Sequence, residues 1–156
     1  FLSTVDFVDP SRLAIFGFSM GGWAALHTAA REPSIRAVAV VAPAGGHEMI
    51  GPWTKERLKS FSRALRVGSQ KELYRDLTKA AKLDPASSAA GLNRPLLLVR
   101  GDRDEIVPAA VSDRIYEAAS SPKKIVRVRG ARHDFLDRRE WLARFVSGWL
   151  VKSLKG

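Results

Sequence analysis

The stretch Leu-Ala-Ile-Phe-Gly-Phe-Ser-Met-Gly-Gly, residues 13–22, decides the fold. Its apolar first part, residues 13–18, predicts a short strand buried on both faces, and the glycines after Ser19 predict a sharp turn into a helix. A tight strand-to-helix turn brings the positions two before and two after its central residue close together, so both must be small. Gly17 and Gly21 meet this requirement, and the pattern G-x-S-x-G predicts a nucleophilic Ser19 exposed at the turn. A glycine-rich turn with an incidental serine is the alternative.

Strands and helices alternate over most of the remaining chain. Apolar runs predict further strands, and helical spacing predicts helices between them, the strands at 35–41, 95–101 and 124–129 and the helices at 23–31, 108–119 and after Asp137. Crossover helices between successive strands require a parallel sheet, so the fold class is α/β with a doubly wound parallel sheet of about four strands. Two amphipathic helices within 54–83 interrupt the alternation, and we expect them to form a small helical cap insertion within 47–90.

Capping patterns predict where several helices begin and end. Ser69 and Glu72 form a capping pair for the second helix of the insertion, and the Asp84-Pro85 dipeptide predicts its end. Asp137 and Glu140 form a similar pair for the last helix, which we expect to bury Trp141 on its apolar side.

A serine nucleophile requires a base, and the sequence offers three histidines. His27 lies within the helix after the turn, where a structural or exposed position is expected. His47 follows a glycine-rich loop and could line a cleft. His133 follows the fourth predicted strand, and the carboxyl ends of parallel strands meet at one edge of the sheet. We therefore expect His133 near Ser19 as the candidate base, with an exposed loop histidine as the alternative.

The base in turn requires an orienting carboxylate. Three acidic residues, Asp102, Asp104 and Glu105, follow the third predicted strand at the same edge of the sheet. Their position predicts that one of them orients the candidate base, while a surface carboxylate in a loop is the alternative for each. The pattern of residues alone leaves the three in competition.

Three stretches in this order resemble the α/β-hydrolase superfamily: G-x-S-x-G around Ser19, G-x-x-D-x-x-V-P from Gly101, and G-x-x-H-x-F from Gly130. Residues 8–13 before the turn resemble its prolyl-oligopeptidase-like, dienelactone-hydrolase-like and serine-aminopeptidase-like branches. The resemblance implies a catalytic triad of Ser19, Asp104 and His133. It also implies a nucleophile elbow bounded by Gly17 and Gly21, and an oxyanion hole that uses the backbone N–H of Met20.

The activity implied by this resemblance is that of a serine hydrolase, an esterase or a serine-peptidase-like enzyme. Such an enzyme cleaves carboxylic esters, or peptide and amide bonds, through an acyl-enzyme. The expected partner is a small-molecule ester or peptide substrate, and no organic cofactor or metal is implied.

The sequence departs from the resembled superfamily before the elbow, where the family has several strands and this chain has one short helix end. We therefore expect residues 1–156 to be the C-terminal part of a hydrolase domain, without the loop that supplies another oxyanion donor. An unpaired, uncharged strand at 13–18 also predicts self-association through that sheet edge. The activity of the 156-residue chain alone is then in question, and a catalytically inactive fragment that acts as an interaction module is the alternative.

Composition sets wider bounds on function. The 156 residues include no cysteine, so a disulfide framework and a thiol nucleophile are excluded. The formal net charge is +10, and eleven basic against four acidic residues fall between 51 and 100. A basic cap that favours anionic substrates or a nucleic-acid-binding domain would use this charge, but no nucleic-acid-binding motif supports the second. Without a visible signal peptide or membrane-spanning stretch, we expect a cytoplasmic protein.

Overall fold

The computed structural model describes residues 4–46, 55–65, 67–120 and 122–155. In these ranges a parallel sheet has the strand order β1-β2-β3-β4, with β1 at Leu13–Phe18, β2 at Ile35–Val41, β3 at Leu96–Gly101 and β4 at Lys123–Val128. Because strands that follow each other in the chain are neighbours in the sheet, right-handed crossovers place the connecting helices on one face. The predicted α/β class and parallel sheet are confirmed.

Helices cover both faces of this sheet. Along the described chain they are α1 (Met20–Ala29), α2 (Lys55–Ala64), α3 (Gln70–Ala80), α4 (Pro85–Ala90), α5 (Ala109–Ala118) and α6 (Arg139–Ser153). Buried side chains of α1, α4 and α5 share one core cluster with the first face of the sheet, whereas α6 packs on the opposite face. The helix that follows the last strand thus covers the face that the crossovers leave open.

The central strands explain why the apolar runs are continuous. Val38 and Val40 of β2 point into the first core cluster, and Ala39 and Val41 point into the second. All four are fully buried because successive residues of a strand face opposite sides and both sides carry helices. Among the described strands, β1 and β4 lie at the two edges of the sheet, and the sequence predicts this position for β1.

Among the predictions about individual helices, one is confirmed and three are corrected. Ser69 Oγ accepts a hydrogen bond from the N–H of Glu72 at 3.2 Å and caps α3 as predicted. Asp84-Pro85 ends that segment but also begins α4, because the Asp84 carboxylate caps the new helix and proline fits its first turn. The predicted cap of α6 is wrong, since Leu136–Arg138 form a 3₁₀ turn and no side chain caps the helix. Trp141 is exposed rather than buried, and its ring stacks on that of Phe145 at a centroid distance of 5.1 Å.

The predicted insertion at 47–90 includes residues 47–54 and 66, which lie outside the described residues, as does His47. The described remainder holds α2, α3 and α4 between β2 and β3, and their role as a cap stays a prediction. Over the residues that the structure describes, no helix has the length and apolar character that crossing a membrane requires.

Candidate active site

Ser19 stands at the turn between β1 and α1 in strained backbone geometry. Its φ of 52° and ψ of −120° lie outside the regions that L-residues favour. Its N–H donates to the carbonyl of Val41 at 2.9 Å, and its own carbonyl accepts from Gly22 and Ala44, so the surrounding backbone holds the turn. Serine at the start of a helix commonly caps it, but the Ser19 hydroxyl makes no such bond and is available to other partners.

The two elbow glycines differ in what they contribute. A Cβ on Gly17 would overlap the backbone carbonyl of Gly21, so position 17 tolerates no side chain. Among the described residues, a Cβ on Gly21 would meet no atom within 4 Å, so these residues do not require position 21 to be small as the sequence predicts. The close approach at the elbow therefore constrains one glycine of the motif. Gly22 packs against Pro43, with a Cβ placed there only 3.1 Å from the proline Cα.

His133 lies in the loop that follows β4 and reaches across the sheet edge to Ser19. Its Nε2 is 3.0 Å from Ser19 Oγ, although the two residues are 114 positions apart in the sequence. The imidazole packs beside the ring of Phe18 at a centroid distance of 5.2 Å, and its side chain is 12% exposed. Phe135, two residues after His133, has a φ of 51° and a buried side chain that anchors this loop.

Asp104 completes a hydrogen-bonded chain from carboxylate to hydroxyl. Its Oδ2 is 2.8 Å from His133 Nδ1, and its Oδ1 accepts the N–H groups of Ile106 at 2.9 Å and Val107 at 2.8 Å. These backbone donors fix the carboxylate so that its second oxygen faces the imidazole. The side chain is only 5% exposed.

The charge on Asp104 determines the roles of the two imidazole nitrogens. Burial raises the pKa of the Asp104 carboxyl, but the hydrogen bonds from His133, Val107 and Ile106 outweigh it and hold that pKa below its usual value. An ionised carboxylate accepts the Nδ1–H of His133, which leaves Nε2 of the neutral ring to accept the Ser19 hydroxyl proton. This arrangement can activate the hydroxyl as a nucleophile.

The backbone N–H of Met20 lies next to Ser19, the candidate nucleophile. Met20 is the first residue of α1, and the amides of the first helical turn have no carbonyl partner within the helix. The positive end of the helix dipole adds to the potential at this point. The position is suited to a developing negative charge on a substrate oxygen bound beside Ser19.

The other sequence candidates lie elsewhere. Asp102 accepts the N–H of Gly130 at 2.6 Å, and Glu105 is an exposed residue 3.9 Å from Arg132, so neither contacts His133. His27 Nδ1 lies 3.0 Å from Ser88 Oγ, between α1 and α4. Within the described ranges, no three His, Asp or Glu side chains converge as a metal ion would require.

Sequence reasoning missed one contact beside the elbow. The indole N–H of Trp23 in α1 donates to the carbonyl of Leu83 at 2.6 Å, and the ring packs against Gly45. Trp23 therefore connects α1, the helix after Ser19, to the segment between α3 and α4. No local pattern reports a bond between residues 60 positions apart, so the sequence offered no signal for it.

A parallel sheet of this topology with a serine elbow at the end of a strand defines an α/β-fold serine hydrolase. Within that class the chain belongs to the prolyl oligopeptidase family, whose sequence model matches residues 1–156. The superfamily resemblance predicted from the motifs is thereby confirmed.

Individual relatives agree with this class. A thermostable monoacylglycerol lipase from Bacillus sp. (strain H-257) is 34% identical over 134 residues, which cover 76% of this chain and 54% of the lipase. An uncharacterised protein of Mycobacterium tuberculosis is 31% identical over 137 residues, 85% of this chain and 42% of that protein. The chain thus spans about half the length of the curated relatives it matches.

Two solved structures share the fold. The 2,6-dihydroxy-pseudo-oxynicotine hydrolase superposes with a TM-score of 0.79 at 22% identity, over 98% of this chain and 43% of that one. Est1E from Butyrivibrio proteoclasticus superposes with a TM-score of 0.71 at 20% identity, over 99% of this chain and 65% of that one. At this level of identity the likeness supports the fold and nothing finer.

Proposed function

We propose that this protein is a serine hydrolase that cleaves carboxylic esters through an acyl-enzyme on Ser19. The observation that supports it is the hydrogen-bonded chain from Asp104 through His133 to the Ser19 hydroxyl, with distances of 2.8 Å and 3.0 Å. Both bonds lie within the range that proton transfer requires. Strained backbone at the nucleophile and a buried, ionised acid support the same assignment.

In the first half of the proposed reaction, Ser19 Oγ attacks the ester carbonyl while His133 Nε2 takes the hydroxyl proton. The resulting imidazolium is stabilised by the Asp104 carboxylate, and the N–H of Met20 donates to the oxyanion. When the tetrahedral intermediate collapses, the bond to the leaving oxygen breaks and His133 gives that oxygen its proton. The alcohol leaves, and the acyl group stays on Ser19.

In the second half, water attacks the acyl carbonyl and loses its proton to His133. Collapse of this intermediate breaks the bond to Ser19 Oγ, which recovers the proton from the imidazolium, and the carboxylic acid leaves. Each half uses the same three side chains, so loss of any one of them should impair both.

Esters are the proposed substrate class because the named relatives include a monoacylglycerol lipase, which is named for an ester substrate. The name of the prolyl oligopeptidase family supports peptide or amide bonds as the second candidate. Comparison of a p-nitrophenyl ester with a peptide p-nitroanilide separates the two, because both release a chromophore and differ in the bond that is cleaved.

The test is covalent labelling by a fluorophosphonate, which reacts with an activated serine. We expect one labelled residue, located at Ser19 by peptide mass mapping, and we expect Ser19→Ala to abolish labelling and reduce ester hydrolysis to the buffer rate. The matched control is Ser88→Ala, because Ser88 also contacts a histidine, His27, at 3.0 Å. That pair has no carboxylate among the described hydrogen bonds of His27, so the control should label like the parent. Labelling that persists in Ser19→Ala would refute the assignment.

A further inference from the structure

The loop that carries the candidate acid is bound to the loop that carries the candidate base. The carboxylate of Asp102 accepts the N–H of Gly130 through Oδ1 at 2.6 Å. The N–H of Asp102 donates to the carbonyl of Val128 at 3.2 Å, and the N–H of Arg103 donates to the carbonyl of Ala131 at 3.0 Å. These bonds connect residues 102–103 with residues 128–131, and the first of them is made by a side chain.

The two loops meet where the chain has little freedom. Gly130 has a φ of 75°, a conformation that residues with a side chain rarely adopt, and it begins the turn that leads to His133. A Cβ on Gly101 would overlap the carbonyl of Ala131, so the end of β3 lies directly against this turn. The Asp102 carboxylate therefore holds the turn at its start, three residues before the imidazole.

We infer that Asp102 is a positioning residue that acts through Gly130 to hold His133 in register with Asp104. This inference rests on the proposed function of Ser19. Asp102 and Asp104 lie two residues apart on one loop, so the loop that carries the candidate acid is also hydrogen-bonded to the loop that carries the candidate base. Displacement of a catalytic group by about 1 Å can cost about 10²-fold in rate, so loss of the hydrogen bond between Asp102 and Gly130 should slow the reaction.

Two substitutions separate this geometric role from an electrostatic one. Asp102→Asn removes the charge and keeps an oxygen that can accept the Gly130 N–H, whereas Asp102→Glu keeps the charge and moves the oxygens away by one methylene. If position is what matters, the Asn variant resembles the parent and the Glu variant resembles Asp102→Ala. If charge is what matters, the order is reversed.

The experiment measures kcat and KM for a p-nitrophenyl ester in the parent and these three variants. We expect kcat to fall about 10- to 100-fold in the Ala and Glu variants with KM nearly unchanged, because the misplaced group acts in the chemical step. We expect the Asn variant to stay within a few-fold of the parent. Asp9→Ala is the matched control, since Asp9 is an exposed aspartate that also accepts a backbone N–H, from Ser11 at 2.9 Å. It precedes β1, at the amino ends of the parallel strands, whereas the loop pair lies at their carboxyl ends.

Amide hydrogen exchange of Gly130 gives a readout that does not depend on activity. We expect slow exchange in the parent and the Asn variant and faster exchange in the Ala and Glu variants. Parent-like kcat in both Ala and Glu variants, or a loss confined to Asn, would overturn the inference while fluorophosphonate labelling of Ser19 still supports the proposed function. If the parent protein is neither labelled nor active, the proposed function fails. Separately, Gly130 exchange that is the same in the parent and all three variants would show that Asp102 does not hold the Gly130 N–H.

Discussion

The two outer strands of the sheet both end at the candidate site, yet they are built differently. β4 carries exposed Lys124 and Arg127, and charge of this kind protects a sheet edge from pairing with another chain. β1 has no charged residue, and its side chains Phe16 and Phe18 are 51% and 38% exposed. The sequence of β4 is that of an edge strand, whereas the sequence of β1 is that of a strand with neighbours on both sides.

The residues around the two edges differ as well: polar contacts lie beside β4, and an apolar groove lies beside β1. On the β4 side, hydrogen bonds between the loops hold the candidate acid Asp104 and the candidate base His133 together. On the β1 side, Phe16 lines an apolar groove of about 400 Å³ with Leu142, Val146 and Leu150 of α6. The proposed acid and base are therefore held by contacts at one edge alone, whereas the strand before Ser19 presents an apolar surface that this chain does not cover within its described residues.

The largest effect is expected on the β4 side, at the acid. Asp104→Asn should lower kcat for ester hydrolysis about 10⁴-fold, because an amide cannot stabilise the imidazolium and favours the wrong tautomer of His133. Asp102→Asn is the control and should cost far less, since Asp102 does not contact the imidazole. Steady-state kinetics of the two purified variants decide the matter. A greater loss in Asp102→Asn would mean that the acid is assigned to the wrong carboxylate.

The next effect concerns the β1 edge, where self-association stays a prediction. We expect the 156-residue chain to associate through β1, and Phe16→Lys, which copies the charged pattern of β4, to weaken that association. Burial of a phenylalanine contributes about 1.5–3 kcal/mol, so the dissociation constant should rise about 10- to 100-fold. Sedimentation velocity over a range of concentrations measures it.

Phe7→Lys is the matched control for the edge, because Phe7 is 91% exposed and lies outside every strand. It should leave the association unchanged. A parent chain that stays monomeric at high concentration, or equal effects of the two substitutions, would remove the difference between the edges.

The strands were predictable from sequence because burial on both faces makes β2 and β3 continuous apolar runs. α4 was not predictable in the same way. Asp84-Pro85 is a stop signal for one helix and a start signal for the next, and six residues are too few to show a helical period. Tertiary packing against α5 and α1 decides that α4 forms.

For the site, residue type and order along the chain were sufficient to nominate Ser19 and His133, and the family resemblance added Asp104; the structure brings these three together. The choice among Asp102, Asp104 and Glu105 depended on family resemblance, because it is decided by which carboxylate faces the imidazole. The bond from Asp102 to Gly130 joins residues 28 positions apart, and no local pattern encodes it. The sequence predicts a steric role for both elbow glycines, and within the described part of the chain Gly17 is the one that has it.

The smallest effect is expected away from both edges of the sheet, at Asp84 between α3 and α4, where a substitution should change stability and not the candidate site. Asp84 caps α4 and accepts two hydrogen bonds from Arg114 of α5, at 2.7 Å and 3.0 Å. Asp84→Asn should lower the free energy of unfolding by about 1 kcal/mol at pH 7, because the amide still caps but loses the charge-assisted pairing. The control is Asp76→Asn, whose ion pair with the adjacent Arg75 is exposed and should contribute little.

The contribution of Asp84 to the free energy of unfolding should also depend on pH. The hydrogen bonds from Arg114 outweigh burial and hold the pKa of the Asp84 carboxyl below its usual value of 3.8. A carboxyl whose pKa is lower in the folded state stabilises the fold above its unfolded pKa, and this contribution is lost as the pH falls through the folded value. Urea unfolding of the parent and Asp84→Asn at pH 7, 5 and about 3 should therefore show a difference that is constant between pH 7 and 5 and smaller near pH 3. A difference that grows toward acid pH would show that the ionised form of Asp84 does not stabilise the fold. It would also show that the contacts between α4 and α5 depend on packing rather than on this pair.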